Sequence, residues 1–252
     1  MRSLLVFMKK EALAHLRSPK PFIMLATFVL IGIMNPLMTK LTPLLFEILE
    51  ESGMVIQGLT VSALESWAEF FANIPLALMA FILIEGNIFT KEYQSGTLVL
   101  ALAKGLKRYK VIVANTVILI ILWSVCYWLS YGITYIVTAA FWDNSIAANL
   151  GFAAFLWWFF GVFTIALLVL SSAVFNSYGG VLLGTGGVVA LFYILMLIPK
   201  VNKFFPTMLT DGASLVYALA EVKDYVPALF ITLALSVAAI IAAIPILNKK
   251  QL

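Results

Sequence analysis

LGFAAFLWWFFGVFTIALLVLS, residues 150–171, contains no charged side chain and no proline. An α-helix of about 20 apolar residues crosses the hydrocarbon of a bilayer, and an uninterrupted run of this length points to a transmembrane helix rather than a buried strand. Five further apolar segments flank it: Pro21–Met38, Phe70–Ile84, Val111–Tyr131 (extending as far as Ala140), Gly180–Ile198 and Val226–Leu247. The expected fold class is therefore an all-α membrane protein of six transmembrane helices. Composition agrees. Hydrophobic residues make up 63% of the 252 and charged residues 11%, against roughly 25% charged in soluble domains. Little chain remains for a soluble domain, so residues 1–252 read as a single transmembrane domain, with a short leading segment (1–19) and a six-helix core (20–252).

Charge gives the expected orientation. With the N-terminus placed in the cytoplasm, the inner segments hold 12 of the 16 Lys and Arg residues: Arg2, Lys9, Lys10, Arg17, Lys20, Lys91, Lys104, Lys107, Arg108, Lys110, Lys249 and Lys250. The outer segments hold Lys40, Lys200, Lys203 and Lys223. The positive-inside rule then puts both termini in the cytoplasm, which an even number of spans also requires. Glu47, Glu50, Glu51, Glu65, Glu69, Asp143, Asp211, Glu221 and Asp224 make the outer face acidic. The net charge of +4 is a membrane-anchoring pattern rather than a nucleic-acid footprint, because no basic stretch is interleaved with stacking aromatics. A single cysteine, Cys126, excludes an internal disulfide.

Met1–Arg17 lacks the apolar core and small-residue cleavage site of a signal peptide. Leu5, Met8, Ala12 and Leu16 recur at helical spacing, with Lys10 and Arg17 roughly opposite and Leu4 and Phe7 off the stripe. This predicts an amphipathic helix along the inner interface, against the alternative of a frayed basic tail. Ser18-Pro19-Lys20-Pro21 ends it and opens the first span. The first outer connection, Thr39–Glu69, predicts short interfacial helices at Leu41–Leu49 and Val61–Trp67. The third, Lys200–Tyr225, predicts a re-entrant or interfacial hairpin.

The longest inner connection, Lys91–Lys110, holds Leu98–Ala103, an apolar stretch of nearly two helical turns after Thr97. So short a helix is unstable alone in water and needs a surface to dock on. Here the run Glu85-Gly86-Asn87-Ile88-Phe89-Thr90-Lys91-Glu92-Tyr93-Gln94-Ser95-Gly96-Thr97-Leu98, followed by Leu100, Leu102 and Lys107-Arg108, resembles the inner loop of ABC-2 type transporter permeases. Glu92, Gly96, Thr97, Leu98 and Arg108 match that family's pattern, while its Pro-x-Ser segment is replaced by Lys104-Gly105-Leu106-Lys107. Length, an interfacial first helix, six spans and an outer hairpin before the last span resemble the family over nearly the whole chain.

The resemblance implies a multi-pass protein of a prokaryotic cytoplasmic membrane that partners an ATP-binding cassette ATPase. This chain has no G-x-x-x-x-G-K-[ST] loop, so ATP and Mg belong to that separate subunit, and no enzyme activity or cofactor is expected here. Gly96–Ala103, with Leu100 and Leu102, would be the main coupling helix, and Phe175-Asn176 part of a second. A second permease copy, forming a homodimer, is implied by the resemblance as well. Gly180-x-x-x-Gly184 is a small-residue pattern suited to close helix approach, serving either that dimer seam or packing within the chain.

Other residues carry further expectations. Glu85, near the end of a span, is read as an ion pair with Lys91 or as a gate. Tyr127, Tyr131 and Tyr135 recur four apart and either line a path for an amphipathic substrate or pack. Trp142 and Trp157-Trp158 suit an outer interface belt. No ionisable side chain falls at a span centre, which argues against an ion-coupled carrier, and no His/Cys/Asp cluster has metal-ligand spacing. The expected function is export of a hydrophobic or amphipathic substrate, peptide first, driven by a partner ATPase in the lipid membrane. The alternative is a non-transporting membrane scaffold that anchors a cytoplasmic partner.

Overall fold

The computed structural model describes residues 2–51, 61–88, 107–198 and 201–249. Its α-helices are α1 (Arg2–Leu16), α2 (Lys20–Glu51), α3 (Ala63–Glu85), α4 (Arg108–Phe141), α5 (Leu150–Val174), α6 (Tyr178–Met196), α7 (Gly212–Val216) and α8 (Val222–Lys249). Three 3-10 turns lie at Asn144–Ile146, Asn202–Phe204 and Pro206–Thr210. Among the described residues there is no strand. Six helices are long and apolar enough to cross a membrane: α2, α3, α4, α5, α6 and α8. The chain is thus all-helical with a multi-pass membrane pattern. Its two ends differ in charge, and "basic end" below denotes the end carrying α1, Lys20 and Arg108.

α5, which holds the uncharged run 150–171, is the most enclosed of the six and packs chiefly on α8. α2 packs on α3 and α4. Gly32 is needed at the α2–α4 crossing, where an added Cβ would stand 2.8 Å from the Ser130 carbonyl oxygen. Small residues let membrane helices approach this closely. α6 is the least buried spanning helix.

Two elements differ from the sequence expectation. The first span runs on without a break through the stretch read as a separate interfacial helix at Leu41–Leu49, giving α2 its 32 residues. Pro36 and Pro43 both lie inside it. A proline removes one hydrogen bond and frees the carbonyl four residues earlier. For Pro36 that is Gly32, whose oxygen accepts a hydrogen bond from Thr134 Oγ1 of α4 at 2.9 Å. Protein groups thereby replace the missing donor where water is absent. Most of the stretch Val61–Trp67 is the first turn and a half of α3. Its N-terminus is fixed by a capping box in which Ser62 and Glu65 satisfy each other's backbone and side-chain groups. Such a cap contributes about 1 kcal/mol.

α1 forms as expected, but it carries a second apolar face, turned to the protein. Phe7 is buried against Val111 and Ala114 of α4, with Leu4 and Met8 packed beside it. Leu5, Val6, Leu13 and Leu16 point away from the protein. Two apolar faces, one for protein and one for lipid, blur the single stripe that periodicity seeks. α4 has 34 residues, about 51 Å of helix. That exceeds a hydrocarbon core of about 30 Å, and α1 packs on the excess at the basic end.

At the other end, residues 201–217 form a cap over α5 and α8. Pro206, Thr207, Leu209, Gly212, Leu215 and Val216 are buried in it. Trp157 Nε1 donates to the Thr210 carbonyl at 2.7 Å and Tyr225 Oη to the Asp211 carbonyl at 3.0 Å. Non-helical backbone here is covered by protein, the condition for placing it near lipid.

Candidate functional site

Three segments converge at the basic end. α1 brings His15, the first turn of α2 brings Lys20, and the last turn of α3 brings Glu85 just before Asn87. Lys20 Nζ donates to the Ile84 carbonyl at 2.7 Å and to Asn87 Oδ1 at 2.6 Å. It lies 3.9 Å from Glu85 Oε2, and His15 Nε2 lies 3.4 Å from Glu85 Oε1. The Glu85 side chain is fully buried, and neither carboxylate oxygen has a hydrogen-bond partner among the described residues. Burial first, and then the Lys20 ammonium, hold His15 below its ordinary value, with Glu11 opposing. His15 is therefore a neutral imidazole near pH 7. The ion-pair expectation for Glu85 named Lys91, which lies outside the described residues. The cation beside Glu85 in the structure is Lys20. No periodicity could have supplied that pairing, because the two residues are 65 positions apart in sequence.

A cavity of about 340 Å³ opens between α3, α5 and α6 at the level of the spans. Its walls include Pro75, Leu78, Phe160, Val189 and Tyr193, and among the described residues no ionisable carboxylate, amine or imidazole lines it. The hydroxyls of Thr164 and Thr185, which also line it, donate to the Phe160 and Val181 carbonyls of their own helices. The surface offered is thus apolar. The volume falls in the range of small-ligand pockets, about 300–1,000 Å³. At the basic end of the same helices, Tyr178 Oη of α6 donates to the Leu83 carbonyl at 2.6 Å. Gly86 allows this approach, since an added Cβ would stand 2.9 Å from Leu182 and 3.2 Å from the Tyr178 ring. At the opposite end, Tyr193 Oη donates to Thr210 Oγ1 at 3.3 Å.

The remaining residues singled out by sequence fall in several places. Glu92, Gly96, Thr97, Leu98, Leu100 and Leu102 lie outside the described residues. Arg108 Nη1 donates to the Leu247 carbonyl and so joins α4 to the end of α8. Phe175 and Asn176 are exposed in the short link between α5 and α6. The Cβ directions of Gly180 and Gly184 are filled by Phe175 of the same chain, whereas Gly179, Gly186 and Gly187 of α6 face open space. Packing within the chain therefore accounts for Gly180 and Gly184. Tyr127 is fully buried and donates to the Ala154 carbonyl at 2.8 Å. Tyr131 and Tyr135 instead line a second pocket near the acidic end. Trp157, read as a belt residue, is buried under the cap, while Trp158 is half-buried with Nε1 on Ser124 Oγ. Asn35 accepts from Asn73 across α2 and α3 at 2.9 Å.

No family model, curated protein or solved structure matches this chain. What the chain does must therefore be argued from its own residues. Among the described residues no group of His, Cys, Asp and Glu is placed to hold a metal ion.

Proposed function

We propose that this chain is the membrane-spanning permease subunit of an ATP-driven exporter of the ABC type, moving a hydrophobic or amphipathic substrate. The observation that carries the reading is the apolar cavity between α3, α5 and α6. A path for an ion or a sugar acid needs fixed charge or a polar face, and this one offers neither. An amphipathic peptide suits such a wall, with its apolar side in the cavity and its polar side turned to the path. α6 is the natural moving part. It is the least buried span, and a second copy of the chain would complete the path by covering its open glycine face.

Hydrolysis is assigned to a separate nucleotide-binding subunit carrying ATP and Mg, seated at the basic end of the permease against segment 96–103. Closure of that subunit would rock the helices as rigid bodies. The cluster of His15, Lys20 and Glu85 stands at the exit of α3 into the same inner connection. It makes α1, α2 and α3 one unit there.

The test is co-purification of the tagged chain from its native host, with mass spectrometry and an ATPase assay on the complex. A stoichiometric nucleotide-binding subunit with hydrolysis is expected. Gly96→Pro or Leu100→Asp should abolish that association while the spans stay folded by circular dichroism. A chain that purifies alone, without ATPase, refutes the exporter reading in favour of a membrane scaffold.

A further inference from the structure

The second pocket, of about 500 Å³, lies where α4 ends and α5 begins, and its lining is as polar as it is apolar. Its walls include Tyr131 and Tyr135, one turn apart on α4, and Trp142 at the helix end, with Asp143 on the turn beyond. The Tyr131 and Tyr135 ring centroids are 6.4 Å apart, and Trp67 of α3 backs both, at 5.2 and 6.2 Å. The position is the end of a span, where aromatic rings meet the headgroup level of a bilayer.

From these walls we propose that the pocket is a binding site for an ammonium group, quaternary or primary. Three observations meet in it. The first is the π surface. Ring faces carry negative quadrupole charge and attract a cation placed within about 6 Å. The same attraction is seen at the pocket's edge, where Lys40 Nζ lies 5.2 Å from the ring centroid of Phe141, which is outside the lining, and 5.9 Å from that of Trp142, which belongs to it. The second is the carboxylate. Hydrogen bonds from the Ser145 hydroxyl and backbone hold Asp143 below its ordinary value, so it stays charged. A carboxylate accepts at more positions than these two bonds fill. An anion would be repelled by both features, and a neutral apolar group would gain nothing from the carboxylate.

The third observation is rigidity. Asn144 accepts from Trp67 Nε1 at 2.9 Å and donates to the Tyr135 carbonyl at 3.0 Å. Ala148 N donates to the Val216 carbonyl at 3.1 Å. The turn that roofs the pocket is thereby tied to α3, α4 and the 201–217 cap. Little side-chain freedom remains to be lost on binding. Gly151 leaves the α5 side open, with no atom within 4 Å of an added Cβ.

Two sources offer this chemistry: the choline headgroup of a lipid, and the lysine or terminal amine of a peptide. The experiment uses the whole chain in phosphatidylglycerol nanodiscs, which contain no ammonium headgroup. Choline and its neutral carbon isostere are titrated by saturation-transfer NMR. Saturable choline binding is expected, with the isostere at least tenfold weaker. Asp143→Asn and Tyr135→Leu should each weaken choline about tenfold, while circular dichroism and melting stay unchanged for the exposed Asp143→Asn variant. Loss of choline binding in phosphatidylcholine nanodiscs assigns the site to the lipid headgroup. Displacement by a lysine-bearing amphipathic peptide, with binding retained in both nanodiscs, assigns it to a peptide amine. Absence of saturable choline binding, equal binding of the isostere, or an unaffected Asp143→Asn variant overturns the proposal. None of these outcomes depends on an ATPase partner.

Discussion

Replacing Lys20 by Met should destabilise the bundle more than any other single change of charge at the basic end, and Glu85→Gln should relieve about a third of that loss. Lys20 Nζ stands 3.9 Å from a carboxylate that is fully buried. At that separation and an effective dielectric near 20, the attraction is about 4 kcal/mol. Desolvation of both charges offsets most of it, so the intact pair contributes little net stability. Removing one partner leaves the other charge buried and uncompensated, which costs about 3 kcal/mol or more. Glu85→Gln alone leaves Lys20 its bonds to Ile84 and Asn87, so its cost should be about 1 kcal/mol. Independent sites would give the double variant a loss of about 4 kcal/mol, within roughly 0.5. The pair predicts about 2 kcal/mol instead, a coupling of about 2 kcal/mol. Equilibrium unfolding of all four proteins in mixed micelles, titrated with a denaturing detergent and followed by circular dichroism, measures each term. Additive losses would falsify the claim that Lys20 compensates Glu85.

Three further outcomes follow from the same packing. An added Cβ at Gly161 would clash with the Trp123 indole, which is buried against Phe28 and Phe81 and donates Nε1 to the Trp158 carbonyl at 2.9 Å. Gly161→Ala should therefore cost about 2–4 kcal/mol in the same unfolding assay, through overpacking and a lost hydrogen bond; a loss below about 0.5 kcal/mol would contradict the contact. Burial and Lys20 hold His15 below its ordinary 6.5, so detached α1 binds more protons than packed α1 and docking weakens as pH falls below about 6.5. Amide exchange in α1 should rise over that window and lose its pH dependence in His15→Phe, and a rise with increasing pH would reverse the sign. Tyr178→Phe removes the hydroxyl that joins α6 to α3, so exchange at the start of α6 should increase by about tenfold while α5, enclosed by its neighbours, is unchanged; protection equal to the parent would show that the bond does not restrain α6.

Six helices were legible in the sequence because the property that makes them, a long run without charge, is local. Which face of each helix meets protein was not legible. In water, a helix buries one apolar face and exposes a polar one, and periodicity reports the difference. In a membrane both faces are apolar, so the contrast disappears. α1 shows this directly: Phe7 faces α4 while Leu5 and Leu16 face outward, and hydrophobicity alone does not separate them. The same loss of contrast hid Trp157, whose indole is hydrogen-bonded under the cap, behind a belt signature. The first span was read as ending at Met38, yet the helix continues past Pro43 to Glu51. The group that replaces the lost donor at Pro36, Thr134, lies 98 positions away in sequence. Glu85 was recognised as unusual because it is charged, and among the described residues a counter-charge reaches it from α2, 65 positions away.

Polar groups inside this bundle mark where helices are joined, and their distribution separates the fixed part from the part that is free to move. α2, α3 and α4 are cross-linked along their lengths: Lys20 to Ile84, Asn73 to Asn35, Thr134 to Gly32 and Ser66 with Thr138. α4 and α5 are joined by Trp123, Tyr127 and Trp158. Each such bond between membrane helices contributes only about 0.6 kcal/mol on average, but several along one contact fix its register. α6 differs. The hydrogen bonds that tie it to other elements at Tyr178, and at Phe192 and Tyr193, lie near its two ends. Between them lies the cavity, and Gly186 and Gly187 meet no neighbour. A helix pinned at both ends and loosely packed along its middle tilts at less cost than one bonded throughout, because fewer close contacts have to be broken. Motion in this protein should therefore concentrate in α6 against a frame made of α2, α3, α4 and α5, and it should change the cavity before it changes anything else.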